Sequence, residues 1–126
     1  TKDFINNFKR ALPYITSVNA VVNMYSVWTL PELYKICKKF KRNLYFSPCF
    51  LPDYLNPQRL PIAEKHKLRK LYEGIPELEE LYDNYIAKDL APMMHEFIEY
   101  NLMLDKYRKT DLFKTFPVYK KYWTKG

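Results

Sequence analysis

A helix between two strand-like segments is the feature that most constrains the fold of this chain. Residues 18–27 are rich in valine and apolar enough to be covered on both faces, as parallel strands are. Residues 30–41 repeat apolar side chains with the period of a helix, and residues 43–50 again have the composition of a strand. This order predicts a β–α–β unit over residues 18–50, with parallel strands and a right-handed crossover.

The start of this helix carries a signal of its own. Thr29 and Glu32 have the spacing of a capping box, which predicts that the Thr29 hydroxyl accepts a hydrogen bond from the Glu32 amide while the Glu32 carboxylate reaches back. Trp28 and Leu33 stand at the two positions of a hydrophobic staple. We therefore expect the helix to begin directly after Thr29.

The remaining sequence predicts helices and no third strand. Four prolines occur in residues 47–61, and proline withholds an amide and restricts its predecessor, so residues 51–61 are predicted to form a semi-rigid loop. Residues 62–108 have helical periodicity, and residues 109–126 form an aromatic and basic tail. We expect a single domain over residues 1–126, of the α/β class, with about five helical segments and a mostly helical C-terminal half.

Two parallel strands are too few to make an independent sheet. Both outer edges of such a sheet would lack partners, so further strands must come from elsewhere or helices must cover the edges. The simplest interpretation is a partial (β/α) barrel-like fragment that forms the terminal part of a larger barrel. The expected partner is then the rest of a parent barrel, or another copy of the chain that completes the sheet.

Charge and cysteine content limit the other partners. The net charge of +7 suits RNA or DNA, but Tyr and Phe recur mostly at the spacing of helical cores, so nucleic acid is the less favoured partner.

The cysteines and histidines do not predict a metal site. Cys37 and Cys49 lie 12 residues apart, and His66 and His95 are isolated from each other and from both cysteines, so we expect reduced thiols and no metal site. No apolar run is long enough to cross a membrane, and we expect a cytoplasmic protein with no membrane partner.

Several short motifs resemble one protein family. A strand ends in Tyr25-Ser26, a proline-containing loop reads P-x-Y-L over residues 52–55, and a helix ends L-D-K-Y-R over residues 104–108. The segment D-L-F-K-T-F-P follows at residues 111–117. Together these resemble the C-terminal half of radical S-adenosylmethionine proteins of the twitch-domain type, common in marine bacteria and their phages, whose corresponding end reads roughly L-D-x-x-R-G-x-D-F-x-x-T-F-P-E-L.

The sequence also departs from that family. Lys109 replaces the usual Gly, Val118 replaces the usual Glu, and Ser26 stands where Asn is common. The family holds a [4Fe–4S] cluster with a CxxxCxxC loop, and this chain has no such spacing. The resemblance therefore implies S-adenosylmethionine and the cluster only for a full-length parent, and it implies no catalytic residue and no independent enzyme activity here.

The resemblance also identifies candidate binding residues. The carboxyl ends of barrel strands face the active site, so residues at and after these ends are cofactor-binding candidates at the barrel mouth. Each of them is also compatible with an ordinary strand-end role. The candidates are Asn23, Tyr25, Ser26, Ser47, Pro48 and Cys49.

The aromatic tail separates the family interpretation from its alternative. We expect Phe113 and Phe116 to pack back onto the final helices, with Pro117 fixing the turn and Arg108 bonding the tail backbone. Asp105 is expected to pair with Arg108 or with Lys109. The alternative is a small basic, mostly helical interaction or RNA-binding protein of viral or bacterial origin, in which the tail would be mobile.

Overall fold

Two strands and six α-helices build residues 2–123, the part of the chain that this computed structural model describes. The elements are, in order, α1 (Lys2–Ala11), β1 (Ser17–Val22), α2 (Leu30–Lys39), β2 (Asn43–Pro48), α3 (Ile62–Tyr72), α4 (Pro76–Leu81), α5 (Met94–Arg108) and α6 (Leu112–Thr115). Short 3-10 segments follow α1, β1 and β2 and end the tail, and a π-helical turn continues α4. The fold is mixed α/β and mostly helical, as predicted, and the sixth helix lies in the tail, where no helix was expected.

The predicted β–α–β unit is confirmed in its pairing. β1 and β2 are parallel, with Ser17 opposite Asn43 and Val22 opposite Pro48, and α2 connects them. β1 is shorter than predicted, because the chain leaves the strand at residue 23. There the Asn23 side chain accepts bonds from the amides of the next residues, which turns the chain into a 3-10 segment over Ser26–Trp28.

The prediction that both faces of the first strand are covered is wrong for the described residues. Ala20 and Val22 are buried on one face, while Val21 on the other face is 54% exposed. On β2, Tyr45 is 57% exposed on the same open face. Successive side chains of a strand point to opposite faces, and the helices cover only one of them.

The predicted capping box does not form. Thr29 has an αR backbone conformation, and its hydroxyl donates to the Ser26 carbonyl at 3.2 Å and accepts nothing from the Glu32 amide. The preceding 3-10 segment provides the reason, because it already places Thr29 inside a helical turn. Trp28 and Leu33 are both partly buried against the core, and their direct contact as a staple stays a prediction.

The core lies between the buried face of the sheet and the C-terminal helices. Buried hydroxyls tie these layers together: Tyr72 of α3 donates to the Val27 carbonyl at 2.6 Å, and Tyr119 of the tail donates to the Met24 carbonyl. The indole of Trp28 donates to the Tyr119 hydroxyl at 2.9 Å. Met24, Val27 and Trp28 all follow β1, so these bonds hold the chain segment directly after the carboxyl end of β1 against the helices.

The proline-rich loop after β2 is held by buried amides. The Gln58 side chain donates to the Tyr85 carbonyl at 2.9 Å, and the Tyr85 hydroxyl lies 3.1 Å from the Asn56 carboxamide oxygen. The Met24 amide donates to the Leu55 carbonyl at 3.0 Å. The loop is therefore joined both to the π-helical turn and to the segment after β1.

The tail folds back, as predicted for its aromatic residues. Phe113 and Phe116 are half-buried against the core, and Tyr119 is fully buried. The expected role of Arg108 is wrong, because its guanidinium makes no hydrogen bond to the tail backbone within residues 2–123. Its place is taken by Asp105, which accepts bonds from the Thr110 hydroxyl at 2.6 Å and from the Leu112 amide at 3.0 Å.

The expected pairing of Asp105 with Arg108 or Lys109 is also wrong within the described residues. Both carboxylate oxygens of Asp105 are turned to the start of the tail and bond there. Lys109 ends α5 in a left-handed conformation with φ 53°, which directs the chain back across the helix. The sharp reversal at Lys109 brings the tail to Asp105, one turn back along α5.

Candidate functional site

Three of the six candidate residues form the turn after β1. The Asn23 carboxamide oxygen accepts from the amides of Tyr25 and Ser26, each at 2.9 Å. The Ser26 hydroxyl donates to the Val21 carbonyl at 2.6 Å and accepts from the Asn23 amide at 3.0 Å. The polar groups of Asn23 and Ser26 are therefore engaged in the turn itself, and only Tyr25 extends away from it.

The other three candidates lie at the end of β2. The Ser47 hydroxyl donates across the sheet to the Asn19 carboxamide oxygen at 2.8 Å, on the open face. Pro48 is the last residue of the strand, and the Cys49 amide donates to the Val22 carbonyl at 3.1 Å. Both groups therefore lie at the carboxyl end of the sheet, and their role in binding a cofactor stays a prediction.

The two groups do not open into one cavity. Pro48 lines a broad depression of about 500 Å³ between β2 and α4, with Tyr45, Phe50 and the carboxylates of Glu77 and Glu80 among its walls. Tyr25 lines a separate groove, to which none of the other five candidates contributes.

Tyr25 opens a groove of about 290 Å³ against α5, which we call the Tyr25 groove. Its walls combine apolar and aromatic side chains with one cation. The lining residues are Tyr25, Leu55, Tyr100, Asn101, Leu104, Asp105, Arg108 and Thr110.

A buried amide fixes the Tyr25 ring in this groove. The Tyr25 hydroxyl donates to the Asn101 carboxamide oxygen at 2.6 Å, and the Asn101 amide group donates to the Phe97 carbonyl at 2.8 Å. The Tyr25 ring also packs against Phe97 and Phe116, and its centroid lies 5.4 and 5.7 Å from theirs. Burial raises the pKa of Tyr25 to about 12, so the phenol stays neutral and keeps its donor.

Arg108 provides the positive charge of the Tyr25 groove. Its side chain is exposed, and within residues 2–123 it makes neither a hydrogen bond nor an ion pair. It lies close enough to Tyr25 to favour ionisation of that phenol, although burial outweighs this effect. Since Asp105 bonds to the tail, the guanidinium donors of Arg108 remain available to a ligand.

The cysteines do not form a reactive or metal-binding pair. Both are free thiols, Cys37 buried in α2 and Cys49 half-buried after β2. Burial raises the pKa of each thiol, which makes the thiolate less available. Among the described residues no group of three or more His, Cys, Asp and Glu side chains is arranged to hold a metal ion.

Sequence reasoning did not identify Tyr100 or Asn101 as site residues. A signal for Asn101 was present, because this polar residue interrupts the apolar stripe of α5 that Phe97 and Ile98 share, and it is buried. No comparable signal marks Tyr100. Its place beside Tyr25 depends on contacts between residues 75 positions apart in the chain.

Comparisons with protein-family models, with curated proteins and with solved structures give no match to this chain. None of the helices in residues 2–123 has the length and apolar character needed to cross a bilayer. The geometry of the sheet and of the Tyr25 groove is therefore the basis for any functional argument.

Proposed function

We propose that this chain is the C-terminal part of a radical S-adenosylmethionine protein and is not catalytic on its own. In this proposal, β1 and β2 are neighbouring strands of a partial (β/α) barrel whose other strands belong to the parent. The motifs ending at Arg108 and Pro117 suggest the family, and the open sheet suggests the incomplete barrel.

The open face of the sheet is the observation that carries the proposal. Asn19, Val21, Tyr45 and Ser47 lie on this face, and two of them are large apolar side chains more than half exposed, at 54% and 57%. In a (β/α) barrel, helices pack on the outer face and the inner face is covered by the remaining strands. An inner wall without its opposite strands would leave Val21 and Tyr45 exposed in this way.

The sheet edges support the same proposal. Each strand has one hydrogen-bonded neighbour, and no further strand joins the sheet within residues 2–123. Parallel sheets of two strands with both edges open are rare, because unpaired amides and carbonyls invite pairing with another chain. Pairing with strands of the parent would satisfy these groups.

The cofactor chemistry of the proposed parent lies outside this chain. In the family, three thiolates hold the cluster and leave one iron free to bind S-adenosylmethionine. The described residues do not fit this cluster, because Cys37 is buried in a helix and Cys49 bonds weakly to the Leu51 carbonyl. We derive no catalytic step here, and propose that this chain contributes the C-terminal wall of the barrel.

The RNA-binding alternative receives less support. It expects a mobile tail, whereas residues 109–123 pack against the core. It also uses the basic residues around Arg42, but that guanidinium donates to the carbonyls of Leu12, Ile15 and Phe40. If the parent does not supply the missing strands, a second copy of this chain could pair with the sheet edges instead.

The test begins with the coding sequence upstream of Thr1. The proposal expects a CxxxCxxC motif there, and a protein extended to include it should take up iron and sulfide after anaerobic reconstitution. The 126-residue chain and an extended variant with the three cysteines changed to Ala are the controls, and neither should take up a cluster. An upstream region without the motif, or equal iron content in all three proteins, would contradict the proposal.

A further inference from the structure

We infer that the Tyr25 groove is a binding site for an oxyanion, either a carboxylate or a phosphate ester, attached to a flat apolar group. The groove itself is built only from residues of this chain. Assigning such a ligand as the substrate of the barrel rests on the proposed function above.

Arg108 specifies the charge of the ligand. A guanidinium presents a planar fork of donors that matches the two oxygens of a carboxylate or a phosphate. Asp105 also lines the groove, but its two oxygens accept from Thr110 and Leu112, and it pairs with no cation within residues 2–123. Arg108 is thus the cation in the groove whose donors are unused.

The aromatic walls specify the shape of the ligand. The rings of Tyr54 and Tyr100 lie 5.1 Å apart, and Tyr100 lines the groove together with Tyr25. Leu55 and Leu104 add aliphatic surface to the same groove. Ligand sites of this kind combine mostly apolar walls with a few oriented polar groups.

The Tyr25 hydroxyl is a polar group with a fixed orientation in the groove. It is held by Asn101, which is itself held by the Phe97 carbonyl, so the phenol cannot turn freely. The phenol oxygen retains an unused lone pair, and the neutral ring does not repel an anion. Because the phenol is already oriented, less conformational entropy is lost when a ligand binds.

The position of the groove supports a functional role. Tyr25 follows β1 directly, at the carboxyl end of the sheet. In parallel α/β sheets this is the end at which ligands bind. The other side of the groove is the C-terminal half of α5, from Tyr100 to Arg108, so the site joins the end of β1 to a C-terminal helix.

The test is an NMR titration of the 126-residue chain with phenyl phosphate and, separately, with benzoate. Benzyl alcohol, which has the ring without the charge, is the matched ligand control. We expect shifts at Tyr25, Tyr100 and Arg108 with a Kd on the order of 1–10 mM for at least one anion, since small ligands of this size bind weakly. Benzyl alcohol should bind at least about fivefold more weakly, because it cannot pair with Arg108.

Two variants separate the groove from general surface charge. Arg108→Gln should weaken anion binding at least about fivefold, while Lys106→Gln, which removes an exposed cation from the same helix outside the groove, should change it less than about twofold. Unchanged spectra elsewhere in the chain would show that both variants fold. Equal losses in the two variants, equal binding of benzyl alcohol, or no groove shifts at about 20 mM ligand would overturn the inference.

This titration does not depend on the parent protein. Loss of the groove inference would leave the iron-uptake test unaffected, and a parent without a cluster would leave the groove titration unaffected. Binding of only one of the two anions would support the site and identify its ligand as a phosphate ester or as a carboxylate.

Discussion

Lys109 ends α5 in a conformation that costs free energy for any residue with a side chain. Its φ of 53° lies in the left-handed region, where the Cβ atom approaches the following carbonyl oxygen. Gly adopts the left-handed conformation without this cost, and it is the usual residue at this position in the family to which we propose that the chain belongs.

Lys109→Gly is predicted to raise the free energy of unfolding by about 0.5–1 kcal/mol, because Gly adopts this conformation without the steric cost. Lys106→Gly is the matched control, since Lys106 is also exposed but lies inside α5, and it should lower the free energy of unfolding by about 1 kcal/mol. Urea unfolding of both variants measures the difference. Destabilisation of similar size in both would contradict a strained Lys109.

Glu64 is a fully buried carboxylate at the start of α3 that holds the tail. One of its oxygens accepts from Lys67 at 3.0 Å and from Lys121 at 3.2 Å, and the other accepts from the Tyr122 hydroxyl at 3.0 Å. Burial alone would raise the pKa of Glu64, but the bonds from these three donors outweigh it and lower the pKa below its usual value.

A lowered pKa in the folded state predicts how stability depends on pH. The ionised Glu64 contributes fully at pH values above the unfolded pKa of about 4.3, and the contribution is lost as the pH falls through the lower folded pKa. Glu64→Gln should therefore lower the free energy of unfolding by about 1–3 kcal/mol at pH 7, and by less at pH 3.

The exposed Glu99 offers the control for this prediction. It pairs with His95 on the surface of α5, so Glu99→Gln should change the free energy of unfolding by less than about 1 kcal/mol at either pH. Urea unfolding at the two pH values measures all four differences. The same small effect from both substitutions at pH 7 would show that Glu64 does not hold the tail.

At the scale of elements, the tail is part of the core and not an appendage. Tyr119→Ala removes a fully buried ring together with its bonds to Trp28 and Met24, and should lower the free energy of unfolding by about 3–5 kcal/mol. Tyr107→Ala makes the same change at a residue that is 82% exposed, and should cost less than about 0.5 kcal/mol. Thermal melting compares the two, and equal midpoints would rule out a docked tail.

The open sheet face gives a second prediction at this scale. Val21→Lys should change the stability of the 126-residue chain by less than about 0.5 kcal/mol, because Val21 is 54% exposed there. In the extended parent, the same substitution would place an ammonium group on the covered inner wall and should cost several kcal/mol. Tyr14→Lys, at an 88% exposed position outside the sheet, should be mild in both proteins.

Chemical denaturation measures the free energy of unfolding of the 126-residue chain and of the extended protein, each with Val21→Lys and, separately, with Tyr14→Lys. A Val21→Lys variant that is equally mild in both proteins would mean that the face stays open. The proposal of a barrel wall would then lose the observation that carries it.

For the whole molecule, the sequence predicted what depends on short-range pattern. The parallel pairing of β1 and β2 around α2 followed from periodicity and segment length, and the docking of Phe113 and Phe116 followed from their aromatic character. These features hold because local preference and burial favour the same arrangement.

The features that were not predicted depend on partners that the local pattern does not contain. β1 ends early because Asn23 binds two amides, and the capping box fails because a 3-10 turn precedes Thr29. Asp105 and not Arg108 bonds the tail backbone, because the left-handed turn at Lys109 brings the tail to Asp105. The Tyr25 groove joins residues 76 positions apart through the bond to Asn101.

Hydrogen exchange of the strand amides is the most direct test of the incomplete barrel. Amides on the outer edges of β1 and β2, within residues 17–22 and 43–47, have no strand partner in the described structure and should exchange rapidly in the 126-residue chain. In the chain extended by its upstream residues, the outer amides of at least one strand should exchange at least about 100-fold more slowly, because strands of the parent would pair with them. Equally rapid exchange at both edges in both proteins would contradict the account.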